Sequence, residues 1–153
     1  MKTNKKLYVK RVIYTALVLM CVCFIFSQSA LSAGESSQES GRILRLLNNI
    51  ARWFGCENLF TDFFVRKLAH FSEFAVLSFF SFCMYKQYVG KLRSQALFTT
   101  LTFVFVAVAD ECIQLFSYGR ACRFADVLID SAGGVCALLF ISIFYIVRNK
   151  RGC

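Results

Sequence analysis

The chain has 153 residues, of which 58% are hydrophobic, and its formal net charge is +9. A mean hydropathy of +0.57 excludes an ordinary soluble domain, and with it the soluble basic face that a nucleic-acid-binding protein needs. The basic residues flank apolar runs instead, which indicates membrane topology and contact with a lipid bilayer rather than with nucleic acid.

Four apolar runs predict an all-α, integral membrane helical bundle with about four transmembrane helices. The runs cover residues 12–26, 68–85, 96–116 and 127–147. A helix needs about 20 residues to cross the hydrocarbon layer, and the two shorter runs reach that length when flanking residues are included. Helices are favoured because an open strand in lipid would leave backbone groups unpaired.

The first run has two interpretations. It is preceded by several lysines and one arginine and is followed by small residues at positions 29–34. This pattern fits either an N-terminal transmembrane helix within residues 1–27 or a signal peptide with a cleavage site. The other three helices keep the same orientation in both cases.

Residues 28–66 are predicted to form an extracellular loop that contains an amphipathic helix. Residues 27–41 are rich in Ser, Gln and Glu, which predicts a flexible exposed loop. Residues 42–54 carry apolar side chains at helical spacing, with arginines mostly off that stripe. This helix is expected either at the membrane interface or packed on the outer end of the bundle.

The charge distribution predicts that both termini lie in the cytoplasm of a multi-pass cell membrane protein. With that orientation, the N-terminal segment, the middle loop and the basic tail of residues 148–153 contain basic residues and no acidic ones. The acidic residues then fall on the outer side or within the helices. This is the positive-inside bias of membrane proteins.

Ionisable and amide side chains of the last three helices are predicted to converge in one layer near the outer face. Each lies in the outer portion of its helix or in the short outer loop. Such groups cost about 2.5–3.5 kcal/mol at the bilayer centre, so they must face one another, water or a ligand. The layer consists of Lys67, His70, Glu73, Asp110, Glu111, Gln114, Arg120, Asp126 and Asp130.

Two explanations account for this layer. With Arg66 and Arg123 included, five acids face four fixed cations and His70, so the layer is either a salt-bridged network that locks three helices together or a shallow, outward-facing polar site. In a site, carboxyl and imidazole groups suit general acid–base catalysis. The candidate catalytic residues are Glu73, Asp110, Glu111 and His70. The candidate substrate-binding residues are Lys67, Gln114, Arg120, Asp126 and Asp130.

No cofactor motif is present, and no cofactor is expected. One histidine and scattered carboxylates leave a divalent cation as an open alternative. The cysteines show no CxxC spacing, and a disulfide between Cys56 and Cys122 is an open alternative on the outer side. Gly133 and Gly134 predict close helix packing. A proton or ion pathway is disfavoured, because the inner halves of the helices lack a comparable series of charged residues.

The polar layer also resembles a known family. The residues that carry the resemblance are Lys67-x-x-His70-Phe71-x-Glu73-Phe74, Asp110-Glu111-x-x-Gln114-x-Phe116, Gly119-Arg120 and Asp126-Val127-x-Ile129-Asp130-x-x-Gly133. Their order and spacing are similar to those of the VanZ-like membrane proteins, named for an accessory teicoplanin-resistance protein. The resemblance covers residues 66–147, and it identifies residues 67–147 as a VanZ-like three-helix core.

The resemblance implies a bacterial envelope protein linked to glycopeptide resistance, with a lipid-linked envelope precursor as a candidate partner. It does not supply a settled reaction, so whether the protein is an enzyme stays open. Phe74 stands where the family commonly has tyrosine, and any role for a hydroxyl group at that position is therefore absent.

Overall fold

The computed structural model describes residues 2–56, 59–120 and 123–150, and these residues form five helices and no strand. The bundle is all-α, as predicted. Four of the helices contain a stretch that is long and apolar enough to cross a membrane, namely α1, α3, α4 and α5. The five helices are α1 (Lys2–Ser29), α2 (Ala33–Trp53), α3 (Asp62–Tyr85), α4 (Leu92–Gln114) and α5 (Phe124–Lys150).

The four long helices form a bundle with two distinct ends. At one end, Arg11 of α1 donates two hydrogen bonds, of 2.9 and 3.1 Å, to the Gln87 carbonyl oxygen just beyond α3. At the other end, the last residue of α1, Ser29, lies against the last residue of α4, Gln114. We call these the Gln87 end and the Ser29 end. The predicted polar layer lies at the Ser29 end.

The most extensive helix contact joins α3 to α5. A Cβ atom on Gly133 would clash with the main-chain carbonyl of Phe71, and one on Gly134 would lie 2.7 Å from the Phe103 ring. The Ser78 hydroxyl donates a 2.8 Å hydrogen bond to the Gly134 carbonyl oxygen. The prediction that the two glycines permit close helix packing is confirmed, because only a residue without a side chain fits there.

Helix α1 is part of the same bundle. Val18 and Ile25 join the buried core, which also includes Phe74, Leu77 and Phe103. Helix α1 therefore packs in the core of the bundle, while the choice between a membrane helix and a cleaved signal peptide stays a prediction. The suggested pairing of Cys56 involves Cys122, which lies outside the described residues.

The structure corrects the prediction of a flexible loop for residues 27–41. Helix α2 begins at Ala33, inside that segment, because Ser32 and Glu35 form a capping box. The Ser32 backbone N–H donates to Glu35 Oε2 at 2.9 Å, and the Glu35 N–H donates to Ser32 Oγ at 3.4 Å. The hydrogen bonds from the Ser32 side chain and backbone hold the pKa of the Glu35 carboxyl below its ordinary value.

Helix α2 combines features of both predicted arrangements. It packs on the start of α3 through polar contacts, in which Ser40 donates to the Asp62 carboxylate and Asn48 exchanges two hydrogen bonds with the backbone of Phe60. Its apolar stripe stays uncovered, with Leu46 61% exposed and Trp53 90% exposed. Such an uncovered stripe is typical of a helix at a membrane interface.

Candidate functional site

The structure brings all nine predicted site residues to the Ser29 end of the bundle. Helix α3 supplies three of them, α4 supplies three and α5 supplies two, while Arg120 lies between α4 and α5. Asp110 and Asp130 are only 0% and 2% exposed. The His70 and Glu73 side chains are 16% and 18% exposed. The layer therefore combines fully buried carboxylates with groups that can reach a cavity.

Asp110 is held by one oxygen and free at the other. Gln114, one turn further along α4, donates 2.9 Å and 3.2 Å hydrogen bonds through Nε2 to Asp110 Oδ2 and to Ser29 Oγ. Asp110 Oδ1 is buried and accepts no hydrogen bond from any described residue. An unsatisfied buried carboxylate oxygen is costly, so its retention calls for an explanation.

His70 and Asp130 lie next to Asp110. One potential ligand atom from each of the three side chains lies within 4.8 Å of the others. His70 Nδ1 is 3.9 Å from Glu73 Oε2, which is too long for a hydrogen bond, and neither atom has a partner among the described residues. The centre of the layer therefore holds three carboxyl groups and one imidazole with free bonding capacity.

Two other carboxylates of the layer are engaged. Asp126 forms a 2.6 Å salt bridge with Lys67, which ties α5 to α3. Glu111 Oε2 accepts a 2.9 Å hydrogen bond from the backbone N–H of Arg123 and so fixes the chain just before α5. These contacts match the predicted salt-bridged network and show that part of the layer supports the fold.

Two arginines line the same cavities beside the acidic centre. Arg120 donates a 3.3 Å hydrogen bond from Nη2 to the Gln28 carbonyl oxygen, while its buried Nε has no partner in the described part of the chain. Burial lowers the pKa of the Arg120 guanidinium from its ordinary value, and the nearby charge of Arg66 lowers it further. Two partly desolvated cations facing each other are a typical setting for an anion.

Three cavities adjoin this layer. The first, of about 170 Å³, lies between α1, α2 and α3, and we call it the α2 cavity. The second, of about 270 Å³, opens beside Asp126 and is called the Asp126 cavity. Arg66, His70 and Arg120 line both of them. The Asp126 cavity is also lined by Lys67, so it is the more basic of the two.

The third cavity, of about 410 Å³, is an apolar groove on the flank of the bundle between α1 and α3. We call it the lateral groove. Leu17, Met20, Val76 and Phe80 form much of its wall. Phe24 and Glu73 line both this groove and the α2 cavity. Glu73 therefore stands where an apolar, lipid-facing surface meets a polar cavity.

Sequence reasoning missed the contribution of α1 to this site. The Gln28 carbonyl oxygen accepts a hydrogen bond from Arg120. Ser29 accepts two: its Oγ from Gln114, and its carbonyl oxygen from the Ser117 hydroxyl at 2.8 Å. Main-chain acceptors leave no sequence signal. Ser29 itself was visible as a small polar residue that ends an apolar run.

The comparisons with known proteins identify the family. No curated protein and no solved structure matches the chain. The sequence model described as VanZ/LLP1 matches residues 12–145, which include α1 as well as the three helices that carry the polar layer. With its four helices long and apolar enough to span a membrane, the protein is a multi-pass cell membrane protein that contacts the lipid bilayer. The chain belongs to the VanZ/LLP1 family.

Proposed function

We propose that the Ser29 end faces the outside of the cell and binds the anionic headgroup of a lipid-linked envelope precursor. In this proposal, Glu73 and Asp110 act as acid–base groups on the bound headgroup. The observation that carries the proposal is the junction at Glu73 between the α2 cavity, which holds Arg66 and Arg120, and the lateral groove. A ligand that is anionic at one end and apolar at the other matches that junction.

The basic lining supports an anionic headgroup. Arg66 and Arg120 line both polar cavities, and Arg120 retains an unused Nε donor. Guanidinium groups bind phosphate and carboxylate oxygens through paired hydrogen bonds, and these bonds strengthen where water is partly excluded. Lys67 is already paired with Asp126, so it contributes positive charge to the cavity more than a free donor.

The lateral groove supports a lipid tail. Its wall is almost wholly apolar, and it opens on the flank of α1 and α3, where hydrocarbon chains surround a membrane helix. An acyl or prenyl chain in the groove would place its headgroup beside Glu73. Each methylene group that leaves water for such a surface contributes about 0.8 kcal/mol. A chain that is already in the bilayer gains little of this free energy, so the groove mainly fixes where the chain and its headgroup lie.

Accessibility supports the assignment of Glu73. Glu73 lines two cavities, and His70, which is 3.9 Å from it, lines the α2 cavity and the Asp126 cavity. Asp110 is fully buried, with one oxygen oriented by Gln114 and the other free, and it is assigned because it lies beside His70. Glu111 likewise has one oxygen bonded to the Arg123 backbone and the other without a partner in the described part of the chain, but it lies outside the cluster with His70.

Family membership and the resemblance of the site residues connect this role to teicoplanin-like glycopeptides. The direct test is antibiotic susceptibility of cells with and without the gene, and with Glu73→Gln or Asp110→Asn. We expect the gene to raise the inhibitory concentration of teicoplanin and each variant to abolish that rise at unchanged protein levels. Glu35→Gln removes an exposed carboxylate of α2 that lines none of the three cavities, and glutamine can keep the capping box, so this variant serves as the control. Variants that keep full function would refute the site.

A second candidate function is that of a non-enzymatic membrane partner whose charged layer only holds the fold. The Lys67–Asp126 salt bridge and the bond between Gln114 and Asp110 favour it. In that case Glu73→Gln and Asp110→Asn would lower abundance or thermal stability in detergent together with any phenotype. Activity lost at full stability would exclude this second function.

The orientation needs a test of its own. In a background without other cysteines, Cys56 reports the Ser29 end and Gly90→Cys reports the Gln87 end, and both positions are exposed. An impermeant maleimide should label Cys56 on intact cells, and the position 90 variant only after permeabilisation. The opposite pattern would place the site on the cytoplasmic side and would refute an outward-facing function.

A further inference from the structure

We propose that His70, Asp110 and Asp130 form a binding site for a divalent transition-metal ion. The inference deepens the proposed function, because the ion would lie within the same site, but its test requires neither a lipid nor an antibiotic. Three observations carry it: the spacing of the potential ligand atoms, the unpartnered buried atoms of Asp110 and His70, and the lack of cationic partners for the two carboxylates.

The spacing fits a metal ion. The three potential ligand atoms lie within 4.8 Å of one another. A divalent ion with ligands at about 2.0–2.2 Å holds opposite ligands roughly 4.0–4.4 Å apart and neighbouring ligands closer. Three atoms at that upper limit lie about 2.8 Å from their common centre, so closing the cluster around an ion requires each atom to move inward by at most about 0.8 Å. Helices α3, α4 and α5 each supply one ligand, so the ion would also link the three core helices.

Two of the three side chains have an unpartnered buried atom. Asp110 is fully buried, and its Oδ1 has no hydrogen-bond partner in the described part of the chain. His70 Nδ1 is also buried and unpartnered among the described residues. A buried carboxylate oxygen without a donor is expensive in a protein interior, and a metal ion replaces the missing donor.

The two carboxylates lack the counter-ion that Asp126 has. Lys67 pairs with Asp126 and Arg66 lies 3.9 Å from Asp62, whereas no lysine or arginine in the described residues lies within salt-bridge distance of Asp110 or Asp130. A divalent cation would compensate both buried charges at once. Mixed imidazole and carboxylate ligands suit ions such as Mn²⁺ or Zn²⁺, and three protein ligands leave coordination positions open for water or for a phosphate oxygen.

Mn²⁺ is the probe of choice. The chain has eight cysteines, which would bind Zn²⁺ elsewhere, whereas Mn²⁺ prefers oxygen and imidazole ligands. Full-length protein, purified through a tag without histidine into an uncharged detergent, is titrated with Mn²⁺ and followed by electron paramagnetic resonance. We expect one saturable site per chain, weakened at least tenfold by Asp110→Asn or Asp130→Asn and unchanged by Glu35→Gln.

A second measurement uses only the wild-type protein, so it tests the site even if the variants fail to fold. His70 is the single histidine of the chain, so nitrogen coupling from an imidazole, seen by electron spin echo on Mn²⁺-loaded wild-type protein, can come from His70 alone. Its presence would support the site. Mn²⁺ bound without that coupling, no saturable binding by folded protein, or equal binding by the wild type and both aspartate variants would overturn the proposal while leaving the lipid-binding function testable.

Discussion

The two halves of the bundle both bury polar side chains, but of different kinds. Towards the Gln87 end the buried groups are hydroxyls and an amide, and several bond to main-chain carbonyls: Ser78 to Gly134, Thr99 to Gln95, and the Gln95 side chain to Val89, at 2.7–2.8 Å. Towards the Ser29 end, carboxylates and an imidazole lie beside the buried Ser29 hydroxyl and the amide of Gln114. The buried ionisable residues among those described lie only there.

The difference follows from what each group can bond. A hydroxyl group can donate to a nearby helix carbonyl, as Ser78 and Thr99 do, although Ser81 Oγ is buried without a partner in the described part of the chain. A carboxylate only accepts, and the carbonyls around it donate no hydrogen bond. Asp110 accepts from Gln114 at one oxygen and has no donor at the other. An unpartnered hydroxyl is neutral, whereas an unpartnered carboxylate carries a charge that a ligand can compensate.

The largest expected effect concerns the contact on which both halves depend. Gly133→Leu should cost more than about 3 kcal/mol, beyond the usual range for overpacking, because the obstacle is the Phe71 main chain rather than a movable side chain. We expect the variant to disappear from the membrane fraction. Gly90→Leu is the matched control and should accumulate normally, because a Cβ atom added at Gly90 would have no neighbouring atom within 4 Å. Equal accumulation of the two variants would show that the α3–α5 contact is not needed.

The next prediction tests whether a positive charge at the Ser29 end contributes to anion binding while one at the Gln87 end does not. Arg120→Gln should weaken binding of a short-chain lipid monophosphate at least tenfold, or about 1.4 kcal/mol, because one partly buried guanidinium is lost. Arg11→Gln removes the same charge at the Gln87 end and should change the affinity by less than twofold. Titration of the purified protein measures both. Equal losses would mean that net charge, and not the site, governs binding.

A smaller effect concerns the salt bridge of the layer. Lys67→Met and Asp126→Asn should each destabilise the protein, and the double variant should lose less than the sum, with a coupling of about 1 kcal/mol in thermal unfolding. The looser and more exposed pair of Arg66 and Asp62 should couple by less than about 0.5 kcal/mol. A coupling near zero for Lys67 and Asp126 would remove the structural role assigned to that pair.

The smallest effect belongs to the neutral half. Ser78→Ala removes the hydrogen bond to the Gly134 carbonyl and should cost about 0.6 kcal/mol, the average for such bonds between membrane helices. Function should persist, in contrast to Asp110→Asn. The comparison is made by susceptibility testing beside thermal unfolding in detergent. If Ser78→Ala abolished function at normal stability, the division between the two halves would be wrong.

The four long helices were predictable because hydropathy and length decide which segments can cross a membrane. The start of α2 was missed, although Ser32 and Glu35 carry the capping signal, because the polar composition of the segment outweighed it. Composition describes a whole segment, whereas a helix start depends on two residues.

The membership of the site was predictable for a different reason. Charged residues in membrane helices face the interior of the bundle or water, so charged residues at the same depth in three helices are expected to lie close together. Their pairing was not predictable, because nothing in the sequence indicates that Lys67 would pair with Asp126, or that Gln114 would bond to both Asp110 and Ser29. Those pairings depend on the directions of the side chains and on the position of α1.

The sideways opening of the lateral groove affects how a lipid reaches the site as well as how it binds there. A lipid that enters between α1 and α3 reaches Glu73 by diffusion within one leaflet and never has to desorb into water. Occupancy would then follow the mole fraction of that lipid among its neighbours, not its concentration in the medium. Diluting the leaflet with inert phospholipid would lower occupancy even if the total amount of the lipid stayed constant.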